Sequence, residues 1–99
     1  MTFLALDGRP TIDKDPGATL DYTFDWTAWL AESADSIASA VVTASGATVL
    51  SSSNTADAVT ARVSGGVIGQ TAALTCTITT AAASPRIDLR TVYLRIVAR

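Results

Sequence analysis

The run from Lys14 to Glu32, KDPGATLDYTFDWTAWLAE, constrains the fold more than any other stretch. It places Tyr22, Phe24, Trp26, Trp29 and Leu30 in a chain otherwise built of small side chains. Alanine, serine and threonine occupy 42 of its 99 positions. With so few large groups, the core has to be anchored on those rings, because aromatic side chains bury the most apolar area per residue. A chain of this length holds one domain, marginal without close packing or a partner. Its 48% hydrophobic content excludes disorder, although much of that content is alanine.

After residue 36 the dominant signal is alternation with a period of two, the mark of half-buried strands. Leu74, Cys76 and Ile78 alternate with Thr75, Thr77 and Thr79 within 72–80. Val59, Ala61 and Val63 alternate with Thr60, Arg62 and Ser64, and Val92, Leu94 and Ile96 with Thr91, Tyr93, Arg95 and Val97. Turn residues fall between these runs at Ser45-Gly46, Ser53-Asn54-Thr55, Ser64-Gly65-Gly66 with Gly69, and Ser84-Pro85. Short strands without helical pattern between them predict an all-β fold, a single antiparallel β-sandwich. Its expected core is Tyr22 or Phe24, with Ile37, Val59, Val63, Leu74, Cys76, Ile78, Leu94 and Ile96.

The segment TAWLAESADSIASAVV carries helix formers at its start and β-branched residues at its end. It splits into one helical turn through Trp29 and Leu30, capped by Asp25 or Thr27, a loop at 33–35, and a strand from Ile37 to Thr43. Residues 1–17, with Gly8-Arg9-Pro10 and Asp15-Pro16-Gly17, read as an irregular N-terminal arm that orders against another chain, and 18–99 as the sandwich. Within the arm, Phe3-Leu4-Ala5-Leu6 offers an edge strand. No apolar stretch reaches the length of a membrane span, and the first residues lack the basic start of a secretory leader.

Charge is uneven along the chain. Residues 1–35 hold seven acidic groups against Arg9 and Lys14, whereas 36–99 hold Asp57 and Asp88 against five arginines. Either the two parts neutralise each other within the fold, or an acidic surface on one copy meets a basic surface on its neighbour. The second reading nominates Asp13 and Asp15, with Arg90, Arg95 and Arg99, as protein-contact residues. Arginine suits such a role because its planar fork pairs with both oxygens of a carboxylate.

Catalysis finds little material. The chain has no histidine, one lysine, one glutamate and one cysteine, so the common general base and its nucleophile pairs are missing. Cys76 sits on the expected inward face, where a free thiol behaves as a small hydrophobe. Lys14, flanked by Asp13 and Asp15 in a flexible arm, keeps a high pKa and is a poor nucleophile. Asp13, Asp15, Asp21 and Asp25 are oxygen donors for a calcium ion that stabilises the arm, or else turn and cap residues; they lack the spacing of a calcium-binding hand. SGGVIGQT, residues 64–71, lacks the spacing of a phosphate loop. An acidic chain with a short arginine row gives little footprint for nucleic acid. No enzyme activity, metal or other cofactor is expected.

The run KDPGATLDYTFDWTAWL resembles a stretch of the form KDPxAxLDYxxDWxxWL in small virion proteins of tailed bacteriophages, often described as fibre-tail adaptors. The similarity continues through SIASAVVTASGATVLSSSN and SGGVIGQTAALTCTITTAA. The resemblance implies a structural virion protein that joins tail or neck to fibres, binds other virion proteins and copies of itself, and is made in the bacterial cytoplasm. The strand order also resembles an immunoglobulin-like domain, but Leu74 holds the slot of the corner tyrosine and Cys76 has no partner cysteine. Two other classes stay open. One is a surface adhesive or decoration module that binds host carbohydrate through an exposed Trp26 or Trp29, and the other is a small cellular sandwich domain serving as a chaperone or enzyme subunit.

Overall fold

The computed structural model describes residues 2–4, 11–32 and 34–98. Through these residues the chain forms β1 (Thr2–Leu4), β2 (Thr11–Lys14), β3 (Leu20–Asp25), α1 (Thr27–Ala31), β4 (Ile37–Ser45), β5 (Thr48–Asn54), β6 (Ala58–Ser64), β7 (Thr71–Thr80) and β8 (Ile87–Ile96). They build two four-stranded sheets, ordered β1-β3-β6-β5 and β2-β8-β7-β4.

Alternation produces the core directly. In β7, Ala72, Leu74, Cys76, Ile78 and Thr80 are buried, and the intervening threonines are half-buried on the outer face. In β8 the same parity buries Val92, Leu94 and Ile96. The other sheet contributes Tyr22 and Phe24 from β3 and Val59, Ala61 and Val63 from β6, so one core lies between the two layers. All ten residues expected in the core are buried in it. Hydroxyl pairs stitch the outer faces, Thr23 to Thr60 at 3.0 Å and Thr75 to Thr91 at 3.1 Å. Such cross-strand pairs add modestly to sheet stability.

The aromatic run ends as β3 enters the helical turn. Neither Asp25 nor Thr27 caps α1, because Trp26 holds the N-cap position with no side-chain cap bond. The Asp25 carboxylate instead accepts from the Thr27 N–H at 3.0 Å and the Thr27 hydroxyl at 2.6 Å, which holds the chain as it turns into α1. Those bonds, the hydroxyl's first, hold the Asp25 pKa below its ordinary value. Trp26 is wholly buried, and Leu30 closes the same end of the core. Trp29 is half-buried, with its ring edge-on to Trp26 at 5.4 Å between centroids.

The structure departs from the sequence expectation in several places. The sheets are mixed, because β1 runs parallel to β3 and β2 parallel to β8. Period-two alternation fixes which side chains face inward and leaves strand direction open. Residues 11–14 are a strand and not an irregular arm: Ile12 pairs with Leu94, Lys14 with Ile96, and the Val97 N–H donates to the Lys14 carbonyl at 2.9 Å. This segment therefore orders on its own chain. In the expected edge strand at Phe3-Leu4-Ala5-Leu6, β1 includes Phe3 and Leu4, whereas Ala5 and Leu6 lie outside the described residues. Finally, β8 starts at Ile87, earlier than its clean alternation, and β5 is a strand where only turn residues bracket a serine run.

The connection from β6 to β7 shows why its glycines matter. Gly66 has φ of +114°, and a Cβ there would sit 2.6 Å from Ile96 Cδ1. Only glycine lets the backbone lie against that side chain. Leu94→Ala, in the centre of the core, is expected to cost about 2 to 5 kcal/mol. Gly66→Ala is expected to destabilise through strain and overlap, and urea unfolding followed by circular dichroism measures both.

Candidate protein-contact surfaces

The four described arginines each find a carboxylate within the chain. Asp13 and Arg95 face each other across β2 and β8, and the guanidinium grips both carboxylate oxygens, Nε to Oδ1 at 2.8 Å and Nη2 to Oδ2 at 3.1 Å. The hydrogen bond first, and then the charge of Asp13, raise the Arg95 pKa. Asp21 pairs with Arg62 at 3.5 Å, Asp35 with Arg86 at 3.9 Å, and Asp88 with Arg90 at 2.9 Å. Three acids of the first 35 residues thus meet arginines from beyond residue 36, which is how the uneven charge closes on itself.

The nominated contact residues do not form one surface. Arg95 and Asp13 share the outer face of the second sheet and are exposed. Arg90 has the inward parity of β8 and lies over the Trp26 ring, 5.5 Å from its centroid. It is therefore on the opposite face of the strand from Arg95, because side chains alternate along a strand. Asp15 shapes the turn after β2, its Oδ1 accepting from the Gly17 N–H at 2.8 Å. Arg99 lies outside the described residues. The four aspartates proposed as oxygen donors are dispersed to separate tasks: Asp13 and Asp21 to arginines, Asp15 to a turn, and Asp25 to the helix start. Among the described residues no three His, Cys, Asp or Glu side chains gather as metal ligands.

Lys14 reverses its expectation. Its parity is that of Leu94 and Ile96, so the side chain enters the end of the core and is wholly buried. The ammonium donates to the carbonyls of Asp15 at 2.9 Å, Ala18 at 2.7 Å and Gly65 at 2.7 Å. Burial lowers its pKa from the ordinary 10.5, against a smaller upward pull from Asp15. Cys76 behaves as expected of a buried thiol. Desolvation pushes its pKa up to about 11, and the nearby Trp26 indole N–H only partly offsets that. Trp29 carries the Arg86 guanidinium over its ring, 4.3 Å from the centroid. Sequence reading missed both arginine-on-tryptophan stacks; counting parity from Val92 back to Arg90 would have found one of them.

The outer faces of the two sheets differ in chemistry. That of β3 and β6 carries Asp21 and Arg62, which pair across the strands. On the other sheet, Arg95 and Asp13 sit at one end, and beyond them the cross-strand rows hold only uncharged residues. These rows include Val41, Thr77 and Leu89, then Ser39, Thr79 and Ile87, with Val41, Leu89 and Ile87 all exposed.

The chain matches the family model described as podophage GP4 fiber-tail adaptor protein gp77 over residues 14–95, more than four fifths of its length. It belongs to that family. The match begins at buried Lys14 and ends at Arg95, so it spans everything from the end of β2 to nearly the end of β8. No curated protein and no solved structure gives a significant match. The family is one of structural adaptors, in keeping with a chain whose few chemically versatile groups are committed to packing.

Lys14→Met removes all three donors and leaves their carbonyls unsatisfied, with an expected loss on the order of 3 kcal/mol. The wild type should also gain stability as pH rises between its lowered folded pKa and 10.5, because there the unfolded chain holds the extra proton. Urea midpoints across alkaline pH test this, and the gain should vanish in Lys14→Met.

Proposed function

We propose that the chain is a non-catalytic structural protein of a tailed-phage virion, an adaptor that joins tail or neck to fibres through contacts with other virion proteins and with copies of itself. On this reading it is made in the bacterial host cytoplasm and its two sheets form an immunoglobulin-like sandwich. The observation that carries the reading is the adaptor-family match over residues 14–95. Its shape fits a bridging role, since the molecule measures 45 × 23 × 17 Å and its longest strands have ten residues. The two ends differ: one presents Val67 and Ile68 on the β6–β7 connection, the other half-buried Trp29 under Arg86, with Arg90 over buried Trp26.

A carbohydrate-binding role has less support. Trp26 is buried and the Trp29 ring already carries a guanidinium, so neither indole offers a bare stacking platform. Contact through charge is retained at the Asp13–Arg95 pair, with Asp15, Arg90 and Arg99 as further candidates. Their partners would be carboxylates and guanidinium groups of neighbouring virion proteins.

Mass spectrometry of purified particles is expected to find the chain as a stoichiometric component, and its absence there would refute the adaptor reading. Exchanging the pair, Asp13→Arg with Arg95→Asp, keeps an ion pair in the chain while inverting its polarity toward a neighbour. If the pair contacts another protein, the exchange lowers incorporation into particles and leaves the melting temperature nearly unchanged. Normal incorporation would confine the pair to a role within the fold.

A further inference from the structure

The two flanks of the fold end in very different edge strands. On one flank the edges are β1, three residues long, and β2, four residues long and carrying Asp13 and Lys14. Short, charged edge strands are how proteins prevent pairing with other chains. On the other flank the edges are β4, nine residues, and β5, seven residues. From Ile37 to Asn54 this flank contains no charged residue and no proline. It has none of the usual side-chain protection.

The two strands of that flank differ in turn. β5 has an irregularity between Val49 and Ser51, within its first four residues, and bulges bend an edge away from potential partners. β4 is irregular only at its start, between Ile37 and Ser39, where the Ile37 N–H is already bonded to the Ala56 carbonyl at 2.8 Å. From Ser39 to Ser45 it pairs residue by residue with β7. Among the described residues no strand is hydrogen-bonded to its other edge, although β5 of the other sheet packs near it.

We propose that β4 pairs antiparallel with β4 of a second copy, about a two-fold axis through Val41, to give one continuous eight-stranded sheet. Within residues 38–44 the sequence of β4 is chemically palindromic about that residue, and the outermost pair, Ile37 opposite Ser45, is unmatched. In this register Ala40 lies opposite Val42 of the partner copy, Ser39 opposite Thr43, and Ala38 opposite Ala44. Apolar residues meet apolar ones, hydroxyl meets hydroxyl, and no charge meets its like. A foreign strand would have no reason to mirror that order, whereas a two-fold contact requires it. On the outer face the row Leu89, Thr77, Val41 continues into the same row of the second copy. This joins side chains that are 52% exposed at Leu89 and 60% exposed at Val41.

The inference deepens the self-assembly part of the adaptor reading and rests on that part alone. One strand pair is a small interface, so the dimer is expected to depend on concentration up to roughly the millimolar range. Sedimentation equilibrium should show a monomer–dimer equilibrium in the wild type. Val41→Lys alone and Val41→Glu alone should each be monomeric, because the register places the like charges opposite each other. Mixed in equal amounts, they should recover the dimer. Leu50→Lys, equally exposed on β5 at 55%, should leave it intact. Val41→Cys, which barely perturbs the strand, should give a disulfide-linked dimer on oxidation, with buried Cys76 out of reach.

A wild type that stays monomeric, a dimer that survives Val41→Lys, or loss of the dimer in Leu50→Lys instead would each overturn the β4 pairing. So would oxidised Val41→Cys that remains monomeric. A monomer that still enters particles stoichiometrically would overturn the pairing and leave the adaptor reading intact. A β4-paired dimer absent from particles would do the reverse.

Discussion

A buried ammonium holds together the corner on which the two sheets depend. Moving a lysine out of water costs several kcal/mol unless its donors are matched. Here the three N–H groups of Lys14 meet three carbonyls, from Asp15, Ala18 and Gly65. Those acceptors belong to the turn that leads into β3 and to the connection between β6 and β7. The Lys14 carbonyl in turn receives the Val97 N–H, beyond the end of β8. Segments separated by 51 positions in sequence are thereby fixed to one point. Gly66, whose missing side chain admits Ile96, completes the same corner. Without this anchor, β2 would rest on four backbone pairings with β8 and the inward side chain of Ile12.

Charge in this protein is organised by the fold. The acidic first third and the basic remainder look like two surfaces in the sequence, yet Asp13, Asp21 and Asp35 each reach an arginine that lies far along the chain. Exposed pairs of this kind contribute little to stability. Their effect is to pair all four described arginines with a carboxylate of the same chain, so no bare arginine row is left to guide a neighbour. The surface features that differ most from one another are then apolar or uncharged: the rows around Val41 and Leu89, the tip at Val67 and Ile68, and the edge of β4.

The layers and the core were legible in the sequence because burial in a sheet repeats every second residue. Leu74, Cys76 and Ile78, or Val92, Leu94 and Ile96, declare their face without reference to anything else in the chain. The helical turn was legible too, but its cap was not: Trp26 holds the N-cap position without a side-chain cap bond, and Asp25 instead bonds Thr27 two positions on. What could not be read depends on pairing at long range. Lys14 reads as a solvated charge between two aspartates until β2 is set beside β8, and only that register sends it into the core. Arg90 and Arg95 read as one basic row, but their odd spacing puts them on opposite faces. β5 was hidden because Ser51, Ser52 and Ser53 give no apolar alternation, and its strand character comes from pairing with β6.

An adaptor faces a conflict that the two flanks resolve separately. It has to remain a well-behaved single chain until it is built into a larger structure, and then it has to bind without rearranging its core. Short, charged β2 guards one flank, and on the other the ladder of β5 is interrupted between Val49 and Ser51. β4 alone keeps a regular, uncharged run of seven residues to whose outer edge no strand is paired among the described residues. Main-chain hydrogen bonds along such an edge need no new side-chain packing and no exposure of buried groups, so joining it leaves the interior of both partners as it was. The weakness of a single strand pair is then useful, because it forms few contacts at the concentrations of free chains and many once copies are held side by side.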